Sequence, residues 1–360
     1  MQQEYFAIGL MSGSSLDGLD LCYVHFSRKD NLWFSYQILA TDCISYNEAF
    51  REKLKQVPNL TVINFAKLHI DLGHFFGNAT LDFIQKHQIE KIDFIVSHGQ
   101  TIFHQPQQHF SSQIGCGATI AQITQTKTIS DLRMSDVAAG GQGAPIVPIA
   151  EKYLFPNYDI FLNIGGICNI AFHHKTANHI LAYDVCAGNT LLNYLSTKRN
   201  KSFDENGNLA KQGKVDMELL EALNSIDFCQ QIAPKSLGSE HIYQDWIAIV
   251  ERFNLSVEDK LATCVEHIAQ QIGNQINQHL KSKSQQLLVT GGGAFNTYLI
   301  QRIQNYTISK VIVPDKQTVE QKEALAIAFF GLLRILQIPN CISSVTGANK
   351  NVIGGAVYLP

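Results

Sequence analysis

Three glycine-rich turns, each closing an apolar run, constrain this chain more than any other feature: the stretch 9–20 (GLMSGSSLDGLD), the pair Gly165-Gly166 and the triplet Gly291-Gly292-Gly293. Around the first, runs 5–10, 21–26 and 32–39 favour strands and are separated by short polar links. Such links leave no room for a crossover helix, so the three runs predict an antiparallel meander. Around the second, runs 160–163, 167–172 and 181–185 repeat the arrangement, with Gly-Gly as the hairpin signal. The order of elements recurs without a clear repeat in sequence.

Between the meanders, residues 47–56 and 61–87 read as helices, and 94–97 and 128–132 as short strands. After the second meander, Leu261, Val265, Ile268, Ile272, Ile276 and Leu280 recur at helical spacing. Residues 285–290 then read as a buried strand entering the glycine triplet, and 322–336 as a last helix with a broad apolar face. These stripes are core; they locate the motifs and do no chemistry. A chain of 360 residues exceeds what one core organises, so two lobes are expected: 1–145 with 337–360, and 146–336.

The net charge of −3, without a sustained basic run, argues against nucleic acid as the main partner. Eight scattered cysteines without a C-x-x-C pair read as free thiols of a reducing compartment, which points to the cytoplasm. The start of the chain reads as a strand rather than a signal peptide, and no apolar run reaches the ~18–20 residues of a membrane span.

The turns carry the first chemistry. Gly13, Ser14, Ser15, Leu16, Asp17 and Gly18 form a hairpin whose small residues let backbone N–H groups approach a phosphate, with hydroxyls as further donors. Asp17 and Asp20 would repel that phosphate unless a cation lies between, and Mg²⁺ held through water meets the need. A plain polar turn is the alternative. The stretch 163–170 (NIGGICNI), with Gly165, Gly166 and Asn169, sets a second such turn in the equivalent place. The stretch 290–296 (TGGGAFN), ending in Asn296, would let a base or ribose lie on the backbone of its glycines. No Walker A loop and no dinucleotide fingerprint occurs.

Phosphoryl transfer to a sugar needs a carboxylate base and polar groups that align the acceptor. Asp184 ends a strand before Gly188 and Asn189 and suits the base, although a helix-capping role fits its position too. His98 and Gln100, in 97–101 (SHGQT), could bond a sugar or their own backbone neighbours. In 130–148, Asp131, Arg133 and Asp136 stand beside Gly140-Gly141-Gln142-Gly143, where Arg133 could grip a carboxylate or pair with an aspartate of its own loop. A serine hydrolase fails on context, since no G-x-S-x-G elbow occurs, and the histidines lack metal-ligand spacing.

Two phosphate hairpins and a later nucleotide turn are the plan of the actin, hexokinase and heat-shock ATPase superfamily. The expected fold is therefore α/β and two-lobed, actin-like (ribonuclease H-like). Each lobe would hold a mixed five-stranded sheet flanked by helices, with the active site in the cleft between lobes. At 9–20, 97–101, 131–148, 163–169, 184–189, 290–296 and 344–358 the sequence closely resembles the anhydro-N-acetylmuramic acid kinase family, in family order across the chain. The resemblance implies ATP and Mg²⁺, with Asp184 activating water against the anhydro bridge while the freed sugar oxygen takes the γ-phosphoryl group. It assigns Gly13 to Asp20, Gly165, Gly166 and Asn169 to phosphates, Gly291 to Gly293 and Asn296 to the nucleoside, and His98, Gln100, Arg133, Asp136, Gly143 and Asn189 to the sugar. It also implies a homodimer and a place in bacterial peptidoglycan recycling. The chain departs from the family pattern at Ser14, at Val185-Cys186-Ala187, at Asn193 and over 201–238. Those departures motivate two other readings: a kinase of the same fold for another amino sugar, or a non-catalytic sensor of nucleotide or muropeptide.

Overall fold

The computed structural model describes residues 3–13, 16–29, 34–174, 179–233, 235–279 and 285–360. Contacts divide the chain into two units, Met1–Pro156 with Gln321–Pro360, and Asn157–Glu320.

The first unit begins with β1 (Gln3–Ser12), β2 (Gly18–Arg28) and β3 (Phe34–Ser45), paired antiparallel as the short links require. Helix α1 (Glu48–Lys55) starts where the Asn47 side chain accepts the Phe50 amide at 2.9 Å. Helix α2 (Val62–Lys86) starts at Thr61, and Leu68, Leu72, Phe76 and Phe83 line its buried face at helical spacing. The chain returns to the sheet as β4 (Phe94–Gln105), parallel to β1, and hairpins into β5 (Phe110–Ile114). Helix α3 (Gly117–Thr124) leads to β6 (Thr128–Ser130), parallel to β4, and then to α4 (Met134–Ala138) and α5 (Pro148–Leu154).

The second unit opens on the second meander, β7 (Ile160–Ile164), β8 (Ile167–His174) and β9 (His179–Ala187). Helices α6 (Asn189–Thr197), α7 (Met217–Asn224), α8 (Asp227–Gln230) and α9 (Ser239–His241) follow. A π-helical turn over Ile242–Ile247 then leads to α10 (Ala248–Arg252) and the long α11 (Val257–His279). Leu261, Val265, Ile268, Ile272 and Ile276 of α11 are buried in the unit's core; Leu280, predicted to end that stripe, lies outside the described residues. Strand β10 (Gln286–Thr290) runs parallel to β7, and after α12 (Thr297–Tyr306) strand β11 (Lys310–Ile312) joins it, giving the five-stranded order β11-β10-β7-β8-β9.

Helix α13 (Lys316–Ile335) crosses the boundary between the units. The sequence bounds ran the second lobe to 336, with the last helix expected to return to the first; from residue 321 its contacts belong to the first unit. Any side chain at Gly9 of β1 would strike the Ala324 carbonyl, and Phe329 sets its ring 5.7 Å from Phe26 and 5.1 Å from Phe34. Likewise α5 (Pro148–Leu154), placed by sequence in the second lobe, stays with the first: Glu151 accepts from Lys322 of α13 at 2.5 Å. After α14 (Ser343–Thr346), strand β12 (Ala356–Tyr358) pairs antiparallel with β6. The first sheet thus has seven strands, ordered β12-β6-β4-β1-β2-β3 with β5 on β4, where five were expected. The additions arise because β4 runs on past residue 97 far enough to form a hairpin, and because 356–358 closes an otherwise open edge. Among the described residues no helix is long and apolar enough to cross a membrane.

Candidate active site

In the first unit β1 ends at Ser12 and β2 restarts at Gly18. Between them Leu16 takes a positive φ of 58° and its amide donates to the Gly13 carbonyl at 3.2 Å. Ser14 and Ser15 lie outside the described residues. Asp17 is exposed, and its carbonyl accepts from the Tyr46 amide at 3.0 Å. Asp20 sits half-buried in β2, opposite Met11.

In the same unit five of the predicted sugar-binding residues fall into two hydrogen-bonded groups, Gln100 with Ser12, and His98, Arg133, Gly143 and Asp136 together. Ser12 Oγ donates to Gln100 Oε1 at 2.6 Å, and Gln100 Nε2 reaches the Thr101 carbonyl at 3.3 Å. His98 is buried; its Nδ1 donates to the Gly99 carbonyl at 2.8 Å, so Nε2 is left as an acceptor. Arg133 fills that acceptor through Nε at 3.2 Å and Nη2 at 2.8 Å, while its Nη1 donates to the Gly143 carbonyl at 2.7 Å. Burial, with the Arg133 charge, lowers His98 to about 3 and keeps it neutral, and burial lowers Arg133 to about 10. Asp136 is fully buried: Oδ2 accepts from the Gly143 amide at 2.8 Å and Oδ1 from Thr346 Oγ1 at 2.8 Å. His98 and Asp136 therefore commit their ring nitrogens and carboxylate oxygens to protein partners, whereas Arg133, with three of its five N–H bonds accounted for, and Gln100, with one of its two, keep donors in reserve. Glu323 of α13 escaped the sequence reading. It is exposed, yet desolvation first and the Asp20 charge second raise its carboxyl. Its signal was being the one acidic residue in the apolar stretch 321–335.

In the second unit the Gly165-Gly166 turn is closed by α6: the Asn189 amide donates to the Gly165 carbonyl at 2.8 Å, and its Nδ2 to the Ile164 carbonyl at 3.1 Å. Asn169 faces Asp184 across β8 and β9, where the register slips by one residue at Val185. Such a bulge re-aims neighbouring side chains. The half-buried Asp184 carboxyl is raised by burial, opposed by hydrogen bonds to Oδ2 from the Leu237 amide at 2.8 Å and from Ser236 Oγ at 3.3 Å. It caps no helix. Gly291 has φ 81°, and a side chain there would meet Asn163 Oδ1 and the Ile164 carbonyl. Asn296 Oδ1 accepts the Leu299 amide at 3.0 Å and so caps α12. Among the described residues no group of three or more His, Cys, Asp or Glu side chains could hold a metal.

The comparisons with known proteins agree along the whole chain. Anhydro-N-acetylmuramic acid kinases are 35% identical in Vibrio cholerae, over 100% of both chains, and 35% in Pasteurella multocida, over 98% of this chain and 96% of that one. The enzyme of that name from Gloeothece citriformis is 34% identical over 99% of each chain. A solved activator of 2-hydroxyisocaproyl-CoA dehydratase from Clostridium difficile, with bound ADPNP, overlays at a TM-score of 0.44 and 15% identity, and the assignment does not rest on it. The family model described as anhydro-N-acetylmuramic acid kinase matches residues 5–360. The chain belongs to the anhydro-N-acetylmuramic acid kinase family.

Proposed function

We propose that the chain opens 1,6-anhydro-N-acetylmuramic acid with water and transfers the γ-phosphoryl group of ATP to it, giving N-acetylmuramic acid 6-phosphate and ADP. In this reading Asp184 takes a proton from water as that water attacks the anomeric carbon. The bond from that carbon to the bridging oxygen breaks, and the freed oxygen displaces ADP from the γ-phosphorus. The observation that carries the reading is Asp184 itself: its carboxyl is raised by burial, Oδ2 is held, and Oδ1 takes no hydrogen bond among the described residues. A base raised toward neutrality and oriented by its other oxygen suits water activation.

The hairpin of Gly13, Leu16, Asp17 and Gly18, with Ser14 and Ser15, would hold phosphates, as would Gly165 and Gly166. Gly291, Gly292 and Gly293 would carry the nucleoside. Arg133 would bind the sugar's carboxylate, aimed by His98 and Gly143. Asp20, whose charge already acts on Glu323, and Asp17 suit a hard cation that draws its other ligands from water and phosphate. Mg²⁺ bound there would offset phosphate charge. The place of the reaction is cytoplasmic recycling of cell-wall fragments in a bacterium, with a second copy of the chain as the expected partner. Mixing the protein with ATP, Mg²⁺ and the anhydro sugar should release ADP only when the sugar is present, and the product should be heavier by one water and one phosphoryl group. ATP binding without sugar-dependent ADP release would refute the assignment and favour a sensor. ADP release with another amino sugar alone would move the specificity.

A further inference from the structure

The stretch 235–237, some fifty positions further along the chain, closes on Asp184. The Asp184 amide donates to the Lys235 carbonyl at 3.0 Å, the Leu237 amide donates to Asp184 Oδ2 at 2.8 Å, and Ser236 Oγ donates to the same oxygen at 3.3 Å. Backbone and carboxylate are thus held from one side by three successive residues. The stretch is itself anchored. Lys235 is buried, with Nζ donating to the carbonyls of Phe228 at 2.7 Å and Cys229 at 3.4 Å, and it stands 4.6 Å above the Phe228 ring. An ammonium taken out of water is costly unless such partners hold it. Its place directly before Ser236 fixes where the next two donors point.

We propose that Lys235 and Ser236 are positioning residues for Asp184, forming a strap that engages Oδ2 and leaves Oδ1 for the attacking water. The inference rests on the reading of Asp184 as the base. Ser236 is exposed, and among the described residues its hydroxyl bonds Asp184 alone, so it acts on Asp184 rather than on the fold. The ionisable side chains described on the packed elements are Cys168 and His173 of β8, His179, Tyr183 and Cys186 of β9, Asp227 and Cys229 of α8, Glu258, Asp259, Lys260, Cys264, Glu266, His267 and His279 of α11, and Lys235 itself. None figures among the causes of the Asp184 shift, which are burial, Leu237 and Ser236. Removing the Ser236 hydroxyl withdraws a donor that favours the ionised carboxylate, so the carboxyl rises further.

The test is the pH profile of sugar-dependent ADP release by the full chain, for the unaltered protein, Ser236→Ala, Ser236→Thr and Asp184→Asn. The acidic limb of kcat should move to higher pH in Ser236→Ala, return in Ser236→Thr and vanish with turnover in Asp184→Asn, while KM for ATP holds. Lys235→Met should lower kcat on the order of 10–100-fold through misplacement of the base. Should Lys235→Met fail to fold, the Ser236 pair decides alone. An unmoved limb in Ser236→Ala, with turnover lost in Asp184→Asn, overturns the strap and leaves the base standing. Turnover retained in Asp184→Asn overturns the base reading and the strap with it.

Discussion

Arg133 turns one edge of its guanidinium onto a single atom, Nε2 of His98, through Nε at 3.2 Å and Nη2 at 2.8 Å. A neutral imidazole can receive that edge only because its other nitrogen donates to the Gly99 carbonyl. His98 thus sets the plane of Arg133, and Gly143 sets its end. Lysine cannot reproduce the fork. Arg133→Lys is expected to raise KM for the sugar at least about tenfold while ATP affinity stays within about twofold, as steady-state kinetics and calorimetry would read. An unchanged sugar KM would remove Arg133 from the binding role.

The glycines of the turns separate fold from ligand. At Gly165 and Gly292 an added methyl would meet its nearest protein atoms at 3.4 and 3.5 Å, ordinary contact distances. Gly165→Ala and Gly292→Ala should keep the melting temperature within about 2 °C yet weaken nucleotide binding about tenfold or more. Gly291→Ala, at φ 81° and against Asn163 and Ile164, should instead cost about 1–3 kcal/mol of stability. Unimpaired ATP binding by Gly165→Ala would place the phosphates elsewhere.

Asp136 should prove a loop anchor. Its two oxygens tie Gly143 to Thr346, and it is fully buried. Asp136→Ala leaves both donors unsatisfied and should cost about 2–4 kcal/mol in urea unfolding, whereas Asp136→Asn, which keeps an acceptor for the Gly143 amide, should cost less.

Acid should weaken the fold before most carboxylates protonate. His98 and His267 are both lowered to about 3 by burial, and His267 accepts from Trp246 Nε1 at 3.0 Å while facing Asn224 through Nδ1. Their folded values lie below the unfolded one. Stability is therefore full above about pH 6.5 and falls as the unfolded chain takes up protons that the folded chain refuses until near pH 3. Each histidine should remove about 1 kcal/mol per pH unit below that point. Urea midpoints at pH 7.5 and 5.5 check this, and equal midpoints would mean that neither histidine is held neutral.

Much of this was legible in the sequence because it follows from local rules. Two meanders, the α2 boundaries at Thr61 and His87, and the buried strand before Gly291 all rest on period, caps and turn length. What escaped depends on partners distant in the chain. Nothing near residues 356–358 announces pairing with β6, and nothing near Ala324 announces Gly9. The site divides in the same way. Residue types marked Arg133 and Asp184, but side-chain bonds alone reveal that His98, Gln100 and Asp136 face inward. The strap at 235–237 approaches Asp184 from some fifty residues away, as the separations of 52 and 53 positions record.

The split of the first unit has a consequence for how the chain comes to be folded. Residues 157–320 are contiguous and can complete their sheet as they leave the ribosome, because every strand of it is already present. Residues 1–156 cannot. Until 321–360 are made, β6 offers an unpaired edge and β1 lacks the helix that lies over Gly9. The half synthesised first is thus finished last, and during that wait β6 presents an open strand edge of the kind that invites wrong pairing.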